Sequence, residues 1–344
     1  MKSEQILPDS WTSHRDALRV EIEEAIDNGP SSLRNMLRYH MGWVDERGSP
    51  CNGSYGKFVR PILCLLSCQA VGGETSQIMP AAAALELIHK FSLIHDDIED
   101  ASQERHHRPT VWILWGQSQA INAGDAMLTL AFSTLFKLRK NGMSDERIVN
   151  SGRTLSLACL DLCDGQYLDL EYEARLDITI ADYLEMAAKK TAALFAASTS
   201  LGAYLGSKDT RLESAFHLFG RELGMAYQIR DDIMGIWGTE DSTGKSASDI
   251  AQKKKTLPVV YALRSNNGEA RQRLERLYSQ QSLEGEDIAL VTRILGDLGA
   301  RNYAEDLAEQ YYRKALAQLD AIRLDPASQA PLIETAGFLL KRDF

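Results

Sequence analysis

Residues 79–97 read MPAAAALELIHKFSLIHDD, a run in which apolar side chains recur at spacings of three and four for more than four turns. Such a period, in a background of Ala and Leu, is that of a helix and not of a strand. Three further stretches repeat it: VNSGRTLSLACLDLCDGQYLDLEYEA at 149–174, TIADYLEMAAKKTAALFAASTSLGAYL at 179–205 and RLESAFHLFGRELGMAYQIRDDIM at 211–234. Strand-type alternation is missing. Between the periodic stretches stand DNGPSS, DERGSPCNGSYG, AVGGETS, RKNGMSD and RSNNGE, each carrying the Gly, Asn, Asp or Pro that ends one helix and starts the next. None of these breaks has the length or composition of an interdomain linker. The pattern predicts an all-α fold, a single large helical domain over residues 1–344.

Bulk composition agrees with that. Of the 344 residues, 44% are apolar and 25% charged, the proportions of a globular chain with material for a large core. The 38 basic and 48 acidic residues give a formal charge of -10, which disfavours nucleic acid and anionic membrane as partners. The start, MKSEQILPDSW, lacks the apolar run of a signal peptide. The longest uncharged run, residues 191–207, is short for a membrane span and diluted by Ser, Thr and Gly. Cys64 and Cys68, and Cys159 and Cys163, stand one helical turn apart. No nearby histidine or further thiol completes a tetrahedral zinc site, so the pairs read as buried reduced thiols, which suits the cytoplasm.

The chemistry gathers at two helix ends. IHDDIED at 94–100 and IRDDIMG at 229–235 each place an Asp pair at the end of a long apolar helix. Asp96 and Asp100 share a helix face one turn apart, while Asp97 lies about 100° aside. Like charges at that spacing, at the helix end where the dipole is also negative, destabilise the helix unless a cation joins them. All-oxygen donors favour Mg²⁺, which commonly bridges carboxylates to substrate phosphate. Two helices of this length run about 30 Å, so facing each other they would hold both acidic ends at one rim of a bundle, above an apolar shaft.

Phosphate also needs cations. GKFVRP at 56–61 sets Lys57 and Arg60 beside Pro61, a favoured first helical residue, and hence beside the free N–H groups of a helix start. Lys190, Thr191, Lys245 in GTEDSTGKSASD and Lys254 in DIAQKKKTLP are further candidates.

GKFVRP, ELIHKFSLIHDDIED, RHHRPT, GQYLDL, KKTAALF, AYQIRDD and KKKTLP, in this order over about residues 50–260, resemble the motifs of the trans-isoprenyl diphosphate synthases, or polyprenyl synthetases. The resemblance implies an all-α fold of about a dozen helices around a central apolar cavity, a homodimer, three Mg²⁺ ions, and condensation of an allylic diphosphate with isopentenyl diphosphate. It implies that Asp96, Asp100 and Asp231 are metal ligands, assisted by Asp97 and Asp232. Arg105, Lys190, Thr191, Gln228, Lys245 and Lys254 match positions around the allylic diphosphate, and Lys57, Arg60 and His89 match the isopentenyl diphosphate site. Phe91, five residues before Asp96 and so about 7.5 Å deeper, is the candidate floor of the cavity, with Ser92 leaving space beside it. That pattern resembles bacterial geranylgeranyl diphosphate synthases and favours a twenty-carbon product over the fifteen-carbon farnesyl diphosphate.

Two positions depart from the family pattern. His106 stands where most members have a second arginine that grips isopentenyl diphosphate, and a shorter, neutral side chain weakens that grip unless Lys57, Arg60 or His107 compensates. Gly235 replaces the third Asp of the second motif. These departures keep open a class I terpene cyclase on the same scaffold and a non-catalytic partner subunit of a prenyl synthase. His95 reads as packing or a hydrogen bond to a carboxylate, Trp112 and Trp115 as packing, Gln166 and Asp169 as cavity mouth or structural hydrogen bonds. The segment from Gly238 to Asp249, flexible in composition, is the candidate lid, and Lys341 and Arg342 are candidate closing cations.

Overall fold

The computed structural model describes residues 7–27, 31–51, 56–207, 209–238 and 248–341. Lys245 and Arg342 lie outside these residues, as does most of the candidate lid, residues 239–247. Among the described residues the chain is helical apart from one hairpin of two-residue strands and an isolated bridge between Val44 and Pro50. It divides into two compact units: residues 1–156, 198–214 and 324–332, and residues 157–197, 215–323 and 333–344.

In the first unit, α1 (Asp9–Ile26), α2 (Ser31–His40), α3 (Val59–Ala70), α4 (Thr75–Glu99), α5 (Val111–Trp115) and α6 (Gln117–Leu135) assemble around α4, which packs against α1, α3 and α6. Residues 81–85 of α4, four alanines and a leucine, are fully buried, as are Leu87 and Ile88. A helix apolar on every side belongs inside. Small side chains let its neighbours come close. Helix α9 (Ala193–Gly206) approaches α3 in the same manner: a Cβ on Gly202 would stand 2.0 Å from the Cys64 carbonyl oxygen. Helix α3 begins at Val59, with Phe58 in a left-handed conformation at φ 56° before it, so Pro61 falls at its third position and not at its first.

The predicted absence of strands fails at one place. Glu104–Arg105 (β1) pairs with Arg108–Pro109 (β2) across His106 and His107, which both have positive φ, 53° and 60°. Two successive positive φ angles are what a two-residue hairpin turn requires. Strands of two residues are too short to carry an alternation of their own.

The second unit holds most of α7 (Asp145–Glu173), then α8 (Ile180–Ala187), α10 (Thr210–Trp237), α11 (Ser248–Ala251), α12 (Leu257–Leu263), α13 (Gly268–Tyr278), α14 (Glu286–Asp297) and α15 (Ala300–Ala321), with the last part of α16 (Pro326–Leu340). Tyr172, Tyr183, Met186, Met225, Ile229, Ile233, Leu257 and Val260 form one of its apolar cores. The single helix expected over 179–205 is interrupted by a π-helical turn at Ala188–Ala192.

All five cysteines are free thiols. Cys64 and Cys68 are buried as expected, and burial raises both thiols, Cys68 to about 12. Cys159 is half-buried and Cys163 exposed, because that turn of α7 presents one of the two to solvent. No helix among the described residues is long and apolar enough to cross a membrane.

Candidate active site

Helix α4 ends in the first aspartate cluster. Asp100 caps it, its N–H donating to the Asp96 carbonyl at 2.9 Å, and the chain turns back through Ala101 at φ 50° into the hairpin. That return brings Arg105 onto the cluster: Nε donates to Asp97 Oδ1 at 2.9 Å and a terminal nitrogen to Asp96 Oδ2 at 3.1 Å. The hairpin is held by its other arginine. Arg108 stacks 4.0 Å over the Tyr39 ring and donates to the carbonyls of Tyr39 and Val44, while the Tyr39 hydroxyl donates to the Pro109 carbonyl at 2.7 Å. Asp97 is buried, and burial raises its carboxyl to about 6 against the pull of Arg105.

The donor set at this end is oxygen only, and Asp97 Oδ2 is buried with no hydrogen-bond partner among the described residues. Among those residues no three His, Cys, Asp or Glu side chains close into a finished cage. Mg²⁺ is ordinarily held by one or two carboxylates together with water and substrate phosphate, so the residues present fit such an ion.

On the same helix, His95 is a packing residue. Its ring lies on Gly124 of α6, where a Cβ would come within 2.1 Å of Nε2, and Nε2 stands 3.3 Å from the Ile121 carbonyl and 3.8 Å from Asp125. Phe91 is buried and meets the His95 ring edge-on at 5.8 Å. The Ser92 hydroxyl donates back to the His89 carbonyl at 2.8 Å. Trp112 Nε1 donates to the Ser102 carbonyl, and Trp115 packs edge-on against Tyr39.

A basic cluster surrounds the middle of α4. His89 is held well below the usual imidazole range by burial and then by the charges of Arg60, Lys90 and Arg105. His40 at the end of α2 is lowered for the same reasons, with Lys90 its foremost charged neighbour. His106, exposed on the hairpin, is lowered by the loss of water around its ring and then by the charges of Lys90, Arg105, His107 and Lys57. Lys57, Arg60 and His89, assigned together from sequence, therefore belong to one electrostatic neighbourhood. Lys90, which sequence reasoning passed over, is in it too. Its signal was a Glu and a Lys four residues apart, Glu86 and Lys90, inside an otherwise apolar helical run.

In the second unit, the sequence-assigned residues of α8 to α12 form a chain of contacts. The π-helical turn carries Lys190 and Thr191, and such turns recur at functional sites. Gly165 of α7 makes room for it: a Cβ there would lie 2.1 Å from the Lys190 backbone nitrogen. Lys190 Nζ donates to Asp169 at 2.5 Å. The Thr191 hydroxyl donates to Gln228 Oε1, and Gln228 Nε2 donates to Asp232 Oδ1 at 2.8 Å. Asp232 Oδ2 accepts the Leu257 N–H at 2.8 Å, satisfying the start of α12. Burial raises Asp232 to about 7, opposed by these bonds. Asp232 therefore organises α10 against α12, and half-buried Asp231 precedes it on α10.

The lysines of KKKTLP diverge. Lys253 donates to the Gln280 carbonyl, and Lys255 is buried and donates to the Glu173 carbonyl, each at 2.8 Å. Lys254, the one assigned from sequence, is the foremost charge acting on Asp249, whose carboxyl burial raises to about 6. That carboxylate lies directly over Gly235, 1.9 Å from where a Cβ would stand. The missing third aspartate of the second motif is thus matched in space by an acid fourteen residues later. Sequence reading missed Asp249 because only the fold joins it to Gly235.

The fold sets the class: a helical chain in which two long helices carry paired aspartates in or near their last turns. Over residues 43–295 the chain matches the polyprenyl synthetase family, and it belongs to that family. It is 39% identical over 306 residues to a geranylgeranyl diphosphate synthase of Mycobacterium tuberculosis, covering 88% of this chain and 86% of that one. It is 35% identical over 326 residues to a (2E,6E)-farnesyl diphosphate synthase of the same species, covering 93% and 89%. It matches the crystal structure of polyprenyl synthetase from Streptomyces coelicolor with a TM-score of 0.89 at 35% identity, covering 96% of this chain and 98% of the other.

Proposed function

We propose that this protein is a Mg²⁺-dependent short-chain prenyltransferase that condenses an allylic diphosphate with isopentenyl diphosphate, with geranylgeranyl diphosphate as product ahead of farnesyl diphosphate. Family membership and the likeness to geranylgeranyl and farnesyl diphosphate synthases support the reaction class. The observation that carries it is the end of α4, where Arg105 bridges Asp96 and Asp97 beside Asp100.

In this reading the chain acts as one catalytic domain over residues 1–344. Asp96, Asp100 and Asp231 hold the metal, three ions in all, while Asp97 and Asp232 orient their neighbours. Bound magnesium would neutralise the diphosphate and carry charge that builds as the allylic C–O bond breaks. Arg105, Lys190, Thr191, Gln228, Lys245 and Lys254 hold the allylic diphosphate with fixed charge and hydrogen bonds, the form of catalysis that electrostatic preorganisation makes strong. Lys57, Arg60 and His89 hold isopentenyl diphosphate, whose double bond attacks the allylic carbon. The departing diphosphate takes the proton, so the protein supplies no general base. Phe91 and Ser92 set the length of the product. A homodimer in the cytoplasm completes the proposal.

The test is to incubate purified protein with Mg²⁺, isopentenyl diphosphate and, in turn, allylic diphosphates of five, ten, fifteen and twenty carbons, and to identify the products. Elongated prenyl diphosphates are expected. A cyclised hydrocarbon formed from the allylic substrate alone would replace this reading with a terpene cyclase, and no product under any condition with a non-catalytic subunit.

A further inference from the structure

Glu86 and Lys90, one turn apart on α4, form an ion pair inside the protein: their side chains are 3% and 8% exposed, with Nζ 3.5 Å from Oε1. Lysine is rarely buried to that degree, and a buried pair seldom repays the loss of hydration by its own attraction. The other buried residues of α4 from Ile78 to Ile94 are apolar, so the pair stands apart from the rest of the buried helix face. The Lys90 ammonium also meets the loop before α3. A Cβ on Gly56 would lie 3.3 Å from Nζ, and Gly56, at φ 75°, immediately precedes Lys57. The absence of a side chain there leaves this face of the ammonium uncovered by residue 56.

Charge around the pair is lopsided. Both Lys90 and Arg60 act on the one carboxylate of Glu86, and Lys90 and Arg105 are the two cations felt by His40, His89 and His106 alike. Beside them the Nε2 of His40 is buried with no hydrogen-bond partner among the described residues. Lys57, Arg60 and Lys90 against the one carboxylate of Glu86 leave surplus positive charge, which suits an anion rich in oxygen acceptors.

We propose that Lys90 binds the diphosphate of the isopentenyl substrate together with Lys57 and Arg60, and so supplies the positive charge that His106 does not. The inference rests on the functional reading above. It makes the lysine at 90 and the histidine at 106 a matched pair, each tolerable because of the other.

Four variants test it: Lys90→Met/Glu86→Gln, which removes the charge without leaving a buried carboxylate alone; Glu86→Gln; Lys90→Met/Glu86→Gln/His106→Arg; and His106→Arg. Steady-state kinetics are read beside calorimetric binding of isopentenyl diphosphate, and of inorganic diphosphate, in EDTA. The double variant should raise KM and Kd for isopentenyl diphosphate about tenfold or more, the scale of a lost charge-assisted hydrogen bond, with KM for the allylic substrate within about twofold. Glu86→Gln should leave isopentenyl diphosphate binding unchanged or tighter, and His106→Arg added to the double variant should restore it. Equal weakening by Glu86→Gln and by the double variant would mark the pair as structural and overturn the proposal, as would an unchanged Kd in the double variant. Should the wild type make no product, the binding measurements still decide the point: inorganic diphosphate bound in EDTA and lost in the double variant upholds the site apart from the reaction.

Discussion

Phe91 stands five residues before Asp96 on α4 and is buried against the His95 ring. Phe91→Ala should shift the product distribution by at least one five-carbon unit, read by chromatography of the dephosphorylated products, and an unchanged distribution would assign the stop elsewhere. The same change costs about 3–5 kcal/mol as a buried Phe truncation, so it is to be assayed below its melting temperature. Lys255 makes a separate prediction. Burial, helped by the charge of Lys253, lowers its ammonium from 10.5 to about 8, with Glu173 opposing. Between those values the unfolded chain holds a proton that the folded chain has released, so this group's contribution to stability grows as pH rises and is lost as pH falls through 8. The melting temperature of the wild type relative to Lys255→Met should therefore increase from pH 7.5 to pH 9.5. Asp232 is read differently from its neighbour: Asp232→Ala would strand the Leu257 N–H and the Gln228 amide, at about 1–3 kcal/mol for a buried unsatisfied donor, and calorimetric unfolding should show it. At this scale, residue type and order along the chain were enough to single out Asp96, Asp100, Asp231, Lys190 and Arg105 as candidates. Lys90 and Asp249 were not singled out, because their partners Gly56 and Gly235 adjoin them only in space.

Elements add constraints that no single residue shows. The π-helical turn at Ala188–Ala192 sits on Gly165, and any side chain at 165 meets backbone, not a yielding side-chain tip. Gly165→Ala should cost about 1–3 kcal/mol as overpacking and, by displacing Lys190 and Thr191, lower kcat as well as the melting temperature. A variant with normal activity and stability would show that the turn adapts without consequence. The sequence GQYLDL announced a motif but not this reason for its glycine. Likewise RHHRPT announced a basic cluster, whereas the hairpin that presents it depends on two successive positive φ angles at His106 and His107. The long helices were legible from periodicity, and their ends from Gly, Asn and Pro. The start of α3 was misplaced by two residues, because Phe58 adopts the left-handed conformation at the boundary.

For the whole molecule, dependence on a divalent ion is the central expectation. EDTA should abolish turnover and added Mg²⁺ restore it, while the far-ultraviolet dichroism stays unchanged, since each unit has its own apolar core to hold it together. Loss of helix on chelation would instead make the ion part of the fold. By itself the sequence determined the all-α class, the two aspartate-ended helices and the family, for these depend on period, residue type and order along one chain. Only the tertiary structure decided that Lys90 joins the cluster of Arg60, His89 and His106, that Asp249 covers Gly235, and that Asp232 secures the start of α12. Burial and charge act through space with a reach of a few ångströms, and which distant residues fall within that reach is settled only once the helices have packed.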